Sequence, residues 1–264
     1  MSKLLMEKGG RATLEQVLVR PVPLRDTSTY QPIYNDELLD MVYRVADDYG
    51  LKLVNPEYGL ARNGQRMFGV FEIQGHEHLG NAVKLMLGVR NSFDASLSAG
   101  ICFGSKVMVC SNLVFTGYAN GEDGIVGKCQ HKHTLNVEDT LYKRLVNSIG
   151  KFRIFKNFQE NFYKGLGARY ISDETAYTTM IEAVRADAVP KKDIMRLADK
   201  WLESGNPREF EGKENWHREF TGRNAWSLFN VFTENHKAYT EKNPVEANKR
   251  SINLTKLFHS QFMN

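Results

Sequence analysis

Cysteine is scarce in this chain, neither sign of charge dominates, and long apolar runs are missing. Each shortage excludes something. Three cysteines (Cys102, Cys110, Cys129) among 264 residues are too few, and odd in number, for a disulfide framework, which suits a reducing compartment. No apolar run nears the roughly 20 residues that cross a bilayer, so no membrane partner is expected. Met1 to Arg11 carries lysines but no apolar stretch of secretory type, and the expected location is cytoplasmic. The common catalytic signatures are also missing. There is no G-x-x-x-x-G-K-S/T, no G-x-G-x-x-G after a strand, no H-E-x-x-H and no G-x-S-x-G. Their absence lowers the expectation of an enzyme, and no cofactor is expected.

What is present is ordinary globular material, 42% hydrophobic and 25% charged, enough for one large domain or a domain with a subdomain. The net charge of +4 says little alone, but its distribution is uneven. Nine basic residues fall between Lys128 and Arg169, opposed only by Glu138, Asp139 and Glu160. Seven of the nine, Lys128, Lys132, Lys143, Arg144, Lys151, Arg153 and Lys156, are the candidate nucleic-acid contacts, because lysine and arginine release counterions from phosphate backbones. The phenylalanines at 152, 155, 158 and 162 are read mainly as core, with the basic residues between them as a positive face.

The periodicities predict an α+β fold. A twisted, largely antiparallel sheet packed with helices fills the N-terminal half, and a helical half follows. The expected divisions are a flexible arm over 1–12, an α+β core over 13–170 and a helical subdomain over 171–264. Asn35 is the expected N-cap of a helix to Tyr49, with Leu38, Val42, Val45 and Tyr49 as its buried stripe. Asn63-Gly64 signals a hairpin, and a second hairpin is expected at Gly104-Ser105. Val83, Leu85, Leu87 and Val89 alternate onto one face, and a last strand is expected near Lys128 to Thr134. Helices are then expected from Asn136, over Asp173 to Val189, from Pro190, after Thr221, and from Asn243-Pro244.

Three further groups could carry chemistry. His76, His78, Cys129, His131 and His133 offer metal-ligating atoms, but their spacings match no established zinc pattern, so surface histidines are the favoured reading and no metal is expected. Arg90-Asn91-Ser92-Phe93-Asp94 reads first as a turn after a strand, and otherwise as a ligand-facing loop. Asn91, Asp94, Cys110, Asn112 and His133 could form a catalytic neighbourhood, His133 as acid or base and Cys110 as nucleophile. A protein-binding surface would use aromatic anchors such as Tyr118 or Trp216.

Several stretches together resemble the phage/plasmid-like protein family, domain-of-unknown-function family 932. They are Asp26 to Ile33, Val89 to Asp94, Val107 to Leu113, Lys132-His133-Thr134, and Ala225 to Glu234. The resemblance implies a mobile-element origin and a bacterial host, in settings of recombination or anti-restriction, without an assigned activity. Where the family usually has a His-Asp-Gly step this chain has Phe93-Asp94-Ala95, which favours binding over catalysis. A fold-level likeness to single-strand annealing proteins would pair a twisted sheet and packed helix with a basic groove. The expectation is therefore a nucleic-acid-binding accessory protein preferring single strands. The alternatives are a protein-binding inhibitor of a host defence system, or an enzyme of the Asp94, Cys110 and His133 neighbourhood. A homo-oligomer is left open.

Overall fold

The computed structural model describes residues 9–23, 27–78, 83–107, 112–118, 126–204, 222–240 and 244–263. Along the chain run β1 (Gly9–Ala12), α1 (Leu14–Leu18), α2 (Asn35–Asp48), β2 (Leu53–Ala61), β3 (Arg66–His78), β4 (Val83–Ser92), β5 (Ala99–Val107), β6 (Asn112–Phe115) and β7 (Lys128–His131). Helices follow: α3 (Val137–Gly150), α4 (Phe152–Ala168), α5 (Asp173–Arg185), a short 3-10 turn (Lys191–Asp193), α6 (Ile194–Ser204), α7 (Ala225–Thr240) and α8 (Pro244–Phe262). The fold is α+β, a seven-stranded antiparallel sheet followed by helices. Gly9–Ala12, assigned to the arm by sequence, instead pair with β2 as the first strand.

The strand order is β1 to β6, with β7 also paired to β5. Strand β5 is shared: Gly104 to Val107 pair with β6, and Ala99 to Cys102 pair with β7. The hairpin expected at Gly104-Ser105 is therefore absent, and β5 runs straight through it. Glycine serves close approach there, not a turn, since a Cβ on Gly104 would lie 2.4 Å from the Val114 carbonyl oxygen. The Asn63-Gly64 hairpin does form, with positive φ at both residues and at Arg62.

Because strand side chains alternate, the sheet has two faces, one of them packed on α2 to α4. The second, called the open face below, is partly covered, and Val70 and Met86 are buried on it. Leu85, Leu87 and Val89 of β4, with Ile101 and Phe103 of β5, face α2, α3 and the start of α4. Phe103 lies 5.1 Å from the Phe152 ring and 5.4 Å from Phe155, contacts of the kind worth about 1 kcal/mol beyond burial. Helix α4 is common to two cores, since its later residues Phe162, Tyr163 and Leu166 pack with α5 to α8.

Local chemistry revises several boundaries. Tyr34, not Asn35, precedes the first turn of α2, its N–H bonded to Glu37 at 2.9 Å, and Asn35 is buried within the helix. Tyr49 is 48% exposed and ends the stripe, which Leu39 and Ala46 complete. The last strand stops at His131, because Lys132 to Thr134 turn toward α3. Asn136 takes the left-handed conformation without a side-chain cap, and the long helix expected after it breaks at Lys151 into α3 and α4. Helix α5 ends at Arg185, and Pro190 leads a 3-10 turn before α6. Thr221 and Asn243 lie outside the described residues; Asn224 caps α7, its Oδ1 accepting from the Ser227 N–H at 2.8 Å.

Candidate nucleic-acid interface

Strand register places the open face in rows. Phe68, Arg90, Gly100 and Gln130 lie side by side across β3, β4, β5 and β7. Val70, Gly88, Cys102 and Lys128 form the next row. Glu72, Met86, Gly104 and Phe115 form a third, crossing to β6. Lys84 and Lys106 follow.

Charge on this face is partly compensated. Arg66 pairs with Asp94 at 2.9 Å, and Lys84 pairs with Glu72. Burial raises the Glu72 carboxyl, but hydrogen bonds from Lys84 and Asn55 hold it below its usual value. Asp94 is lowered likewise, with Ser96 and Arg66 prevailing over burial.

Arg90 and Lys128 are different. Arg90 Nη2 donates to Gln130 Oε1, and Lys128 Nζ donates to Asn248 Oδ1 at 2.8 Å. Among the described residues neither meets a carboxylate. Both are partly buried, and burial lowers both pKa values, with Arg90 pushing Lys128 further down. Two neighbouring cations held by neutral amides, with the described carboxylates elsewhere on the face, leave a positive potential that would favour an anion. Arg144 extends it around the edge of β7, its Nη1 donating to the Gln130 carbonyl oxygen at 2.6 Å. Asn248 closes one side from α8, bonding the Phe115 carbonyl and Cys102 Sγ. The Cys102 thiol is pushed up to about 11 by burial, so it is no thiolate. Phe68 and Phe115 are partly exposed on the same face.

The other proposed contacts lie apart. Lys143 is exposed on α3, and Lys151, Arg153 and Lys156 belong to the α3–α4 junction and α4, which pack on the opposite face. Lys132 is exposed after β7. The sequence reading therefore joined residues that the fold separates, and it missed Gln130 and Asn248, which hold the two cations.

The polar candidates divide on the same principle. Asn91, next to Arg90, points into the core and is fully buried. Its Nδ2 donates to the Ile33 carbonyl oxygen at 2.8 Å and to Asn35 Oδ1 at 2.9 Å, while Asn35 Nδ2 reaches the Val17 carbonyl oxygen at 3.0 Å. From the other side the Ile33 N–H donates to His133 Nδ1 at 3.4 Å, and the Gln31 N–H to the His133 carbonyl oxygen at 3.2 Å. Asn91 and His133 thus staple buried Ile33 by its two backbone groups. Burial pushes the His133 pKa down to about 4, against a pull from the Leu97 carbonyl. Asp94 accepts from Ser96 and Arg66, closing the turn that the sequence favoured.

Asp94 and His133 therefore hold structural partners, while Cys110 lies outside the described residues and the Asn112 side chain is undescribed. Cys129 is partly buried with its thiol pushed up to about 12, and His133 sits beyond the end of β7. The side chains of His76 and His78 are undescribed, and among the described residues no three potential ligands gather for a metal. Tyr118 is buried against Phe158 and His259 instead of forming a surface anchor, and Trp216 lies outside the described residues. No helix of the described residues is long and apolar enough to cross a membrane.

Segments from both ends of the chain complete this architecture. Residues near Ile33 are stapled to β4 and to the turn after β7, while α7 buries Trp226 and Phe229 in the helical core. A family model described as Domain of unknown function (DUF932) matches residues 26–257. The chain belongs to this family. Within family 932, then, the matched span takes in the stapled segment, strands β2 to β7 and α7. No curated protein and no solved structure matches the chain.

Proposed function

We propose that this chain binds single-stranded nucleic acid across the open face of its sheet, as an accessory protein of mobile-element DNA metabolism. The observation that carries the reading is the Arg90–Lys128 pair, two partly buried cations with amide partners and, among the described residues, no carboxylate. A phosphate backbone supplies the missing negative charge through charge-assisted hydrogen bonds. Arg144 continues the cationic track around the edge of β7.

Single strands fit this face better than a duplex. Unstacked bases present flat surfaces to aromatic rings, and Phe68 beside Arg90 and Phe115 beyond Lys128 offer such rings at the level of the sheet. Backbone contact and stacking carry little base identity, so weak sequence preference is expected. The mobile-element setting comes from the resemblance of the motif stretches.

The test is fluorescence anisotropy of a labelled single-stranded oligonucleotide at two salt concentrations, with duplex as control. Binding should favour the single strand and fall steeply with salt. In an Arg90→Met, Lys128→Met double variant, the salt slope should shrink by about 1.4, two contacts at about 0.7 each. Absence of binding at low salt, or an unchanged slope in the variant, would sink the reading.

A further inference from the structure

A second feature lies at the stapled end, beyond the end of β7. A cleft of about 390 Å³ opens between residues 27–30, 95–98 and 132–134. That volume is in the range of small-molecule sites. Among the described residues its wall is rich in hydroxyls, includes one lysine, and contains no carboxylate. Among the described residues, the Thr27, Thr29, Ser98 and Thr134 hydroxyls engage no internal hydrogen bond, and Lys132 forms no ion pair. The nearby Asp94 carboxylate is occupied by Arg66 and Ser96.

His133 supplies the second, independent observation. It lines the cleft, is only 5% exposed, and lies 5.7 Å from the Tyr30 ring. Its Nδ1 accepts the Ile33 N–H, so the neutral ring carries its proton on Nε2. Of the two ring nitrogens, Nε2 makes no direct hydrogen bond among the described residues, although the ring feels a pull from the Leu97 carbonyl. A ligand oxygen in the cleft would accept from this buried N–H more fully than the Leu97 carbonyl does.

We propose that this cleft binds a phosphomonoester of nucleotide size, with Lys132 and the hydroxyls at its phosphate, His133 Nε2 donating to a ligand oxygen, and Tyr30 against its ring. The phosphate's several acceptor oxygens match a wall of donors, and no carboxylate among the described lining residues repels them. The same chemistry comes from two sources, a free nucleoside monophosphate or the 5′-phosphorylated end of a strand. Lys132 directly follows β7, the strand that carries Lys128 and Gln130, so the cleft adjoins the open-face track. The site does not require that track to bind nucleic acid.

Calorimetric titration of the full chain with deoxyadenosine 5′-monophosphate, and with deoxyadenosine as control, reads the free source. Anisotropy with one oligonucleotide, 5′-phosphorylated or 5′-hydroxyl, reads the strand end. Binding of the monophosphate but not the nucleoside, weakened about tenfold by Lys132→Glu, supports the site. So does a preference of about fivefold for the phosphorylated strand that Lys132→Glu erases and the Arg90→Met, Lys128→Met variant keeps. Lys132 is exposed, so its substitution leaves the fold intact. If the monophosphate gives no heat and the 5′-phosphate leaves strand affinity unchanged, the proposal is overturned. Should strands fail to bind at all, the open-face reading falls while the monophosphate titration still decides this one.

Discussion

Arg90 and Asn91 are neighbours on one strand, and they belong to regions built on opposite rules. Asn91 points into the core, where both amide hydrogens bind backbone or side-chain oxygens of the segment leading into α2. Arg90 points to the open face, where it and Lys128 meet amides in place of counter-ions. The stapled end consists of neutral polar groups fixed by local partners, and its disruption costs stability. The open face holds charge that its described surroundings do not neutralise, and on the proposed function its disruption costs binding. One residue step along a strand separates the two because alternate side chains point to opposite faces.

The comparison breaks most visibly at Asn91. Replacing it with alanine leaves the buried Ile33 carbonyl and Asn35 Oδ1 without a donor, and should lower unfolding free energy by about 3 kcal/mol in urea titrations. The affinity of the molecules that remain folded should not move. A loss below about 1 kcal/mol would mean that the staple is decorative.

Acid should act on the same end. His133 titrates at about 4 in the folded chain and near 6.5 when unfolded, so the unfolded state gains the proton first. The contribution is intact above pH 6.5 and is lost as pH falls toward 4, amounting to about 2 kcal/mol at pH 5. His236, buried against the Ala188 carbonyl and also lowered to about 4, adds a loss of the same sign. Urea titrations across this range should show the fall, and stability constant down to pH 5 would contradict the assigned neutral rings.

Smaller effects should come from the open face, with the opposite sign for stability. Arg90→Met and Lys128→Met together should weaken single-strand binding about tenfold while leaving the melting temperature unchanged or raised, because a like-charge pair has been removed. A lowered melting temperature would show that the pair is structural. Neutralising Lys143, Lys151, Arg153 and Lys156 should change affinity less than about threefold, since these helices sit on the other face and their fields are screened.

Much of the fold was legible in local pattern. The alternation of Val83, Leu85, Leu87 and Val89 gave the buried face of β4, Val83 packing in the helical core and the others under α2 to α4, and Asn63-Gly64 gave the β2–β3 hairpin. The helical spacing of Trp226, Phe229, Thr233 and His236 gave a face of α7, and all four are buried. Gly104-Ser105 misled because glycine marks both turns and close strand approach, and only the pairing of β5 with β6 tells them apart. Asn35 misled because a capping residue type was used as a buried bracket.

The candidate interface was less legible. Lys128 was visible as a basic residue, but the residues that define its surroundings, Arg90, Gln130 and Asn248, lie 38, 2 and 120 positions away. Their meeting depends on β7 pairing with β5, a non-local contact that no periodicity announces. Basic residues on α3 and α4 looked equally suitable in sequence, and only the sheet's two faces separate them from Lys128.

The most direct test compares single-strand affinity over a range of salt for three proteins. They are the natural chain, the Arg90→Met, Lys128→Met variant, and the chain with Lys143, Lys151, Arg153 and Lys156 neutralised. Loss of affinity and of about 1.4 in salt slope confined to the open-face pair is the expected result. A helix variant that loses as much, or an open-face variant that loses nothing, would contradict the assignment of binding to the open face.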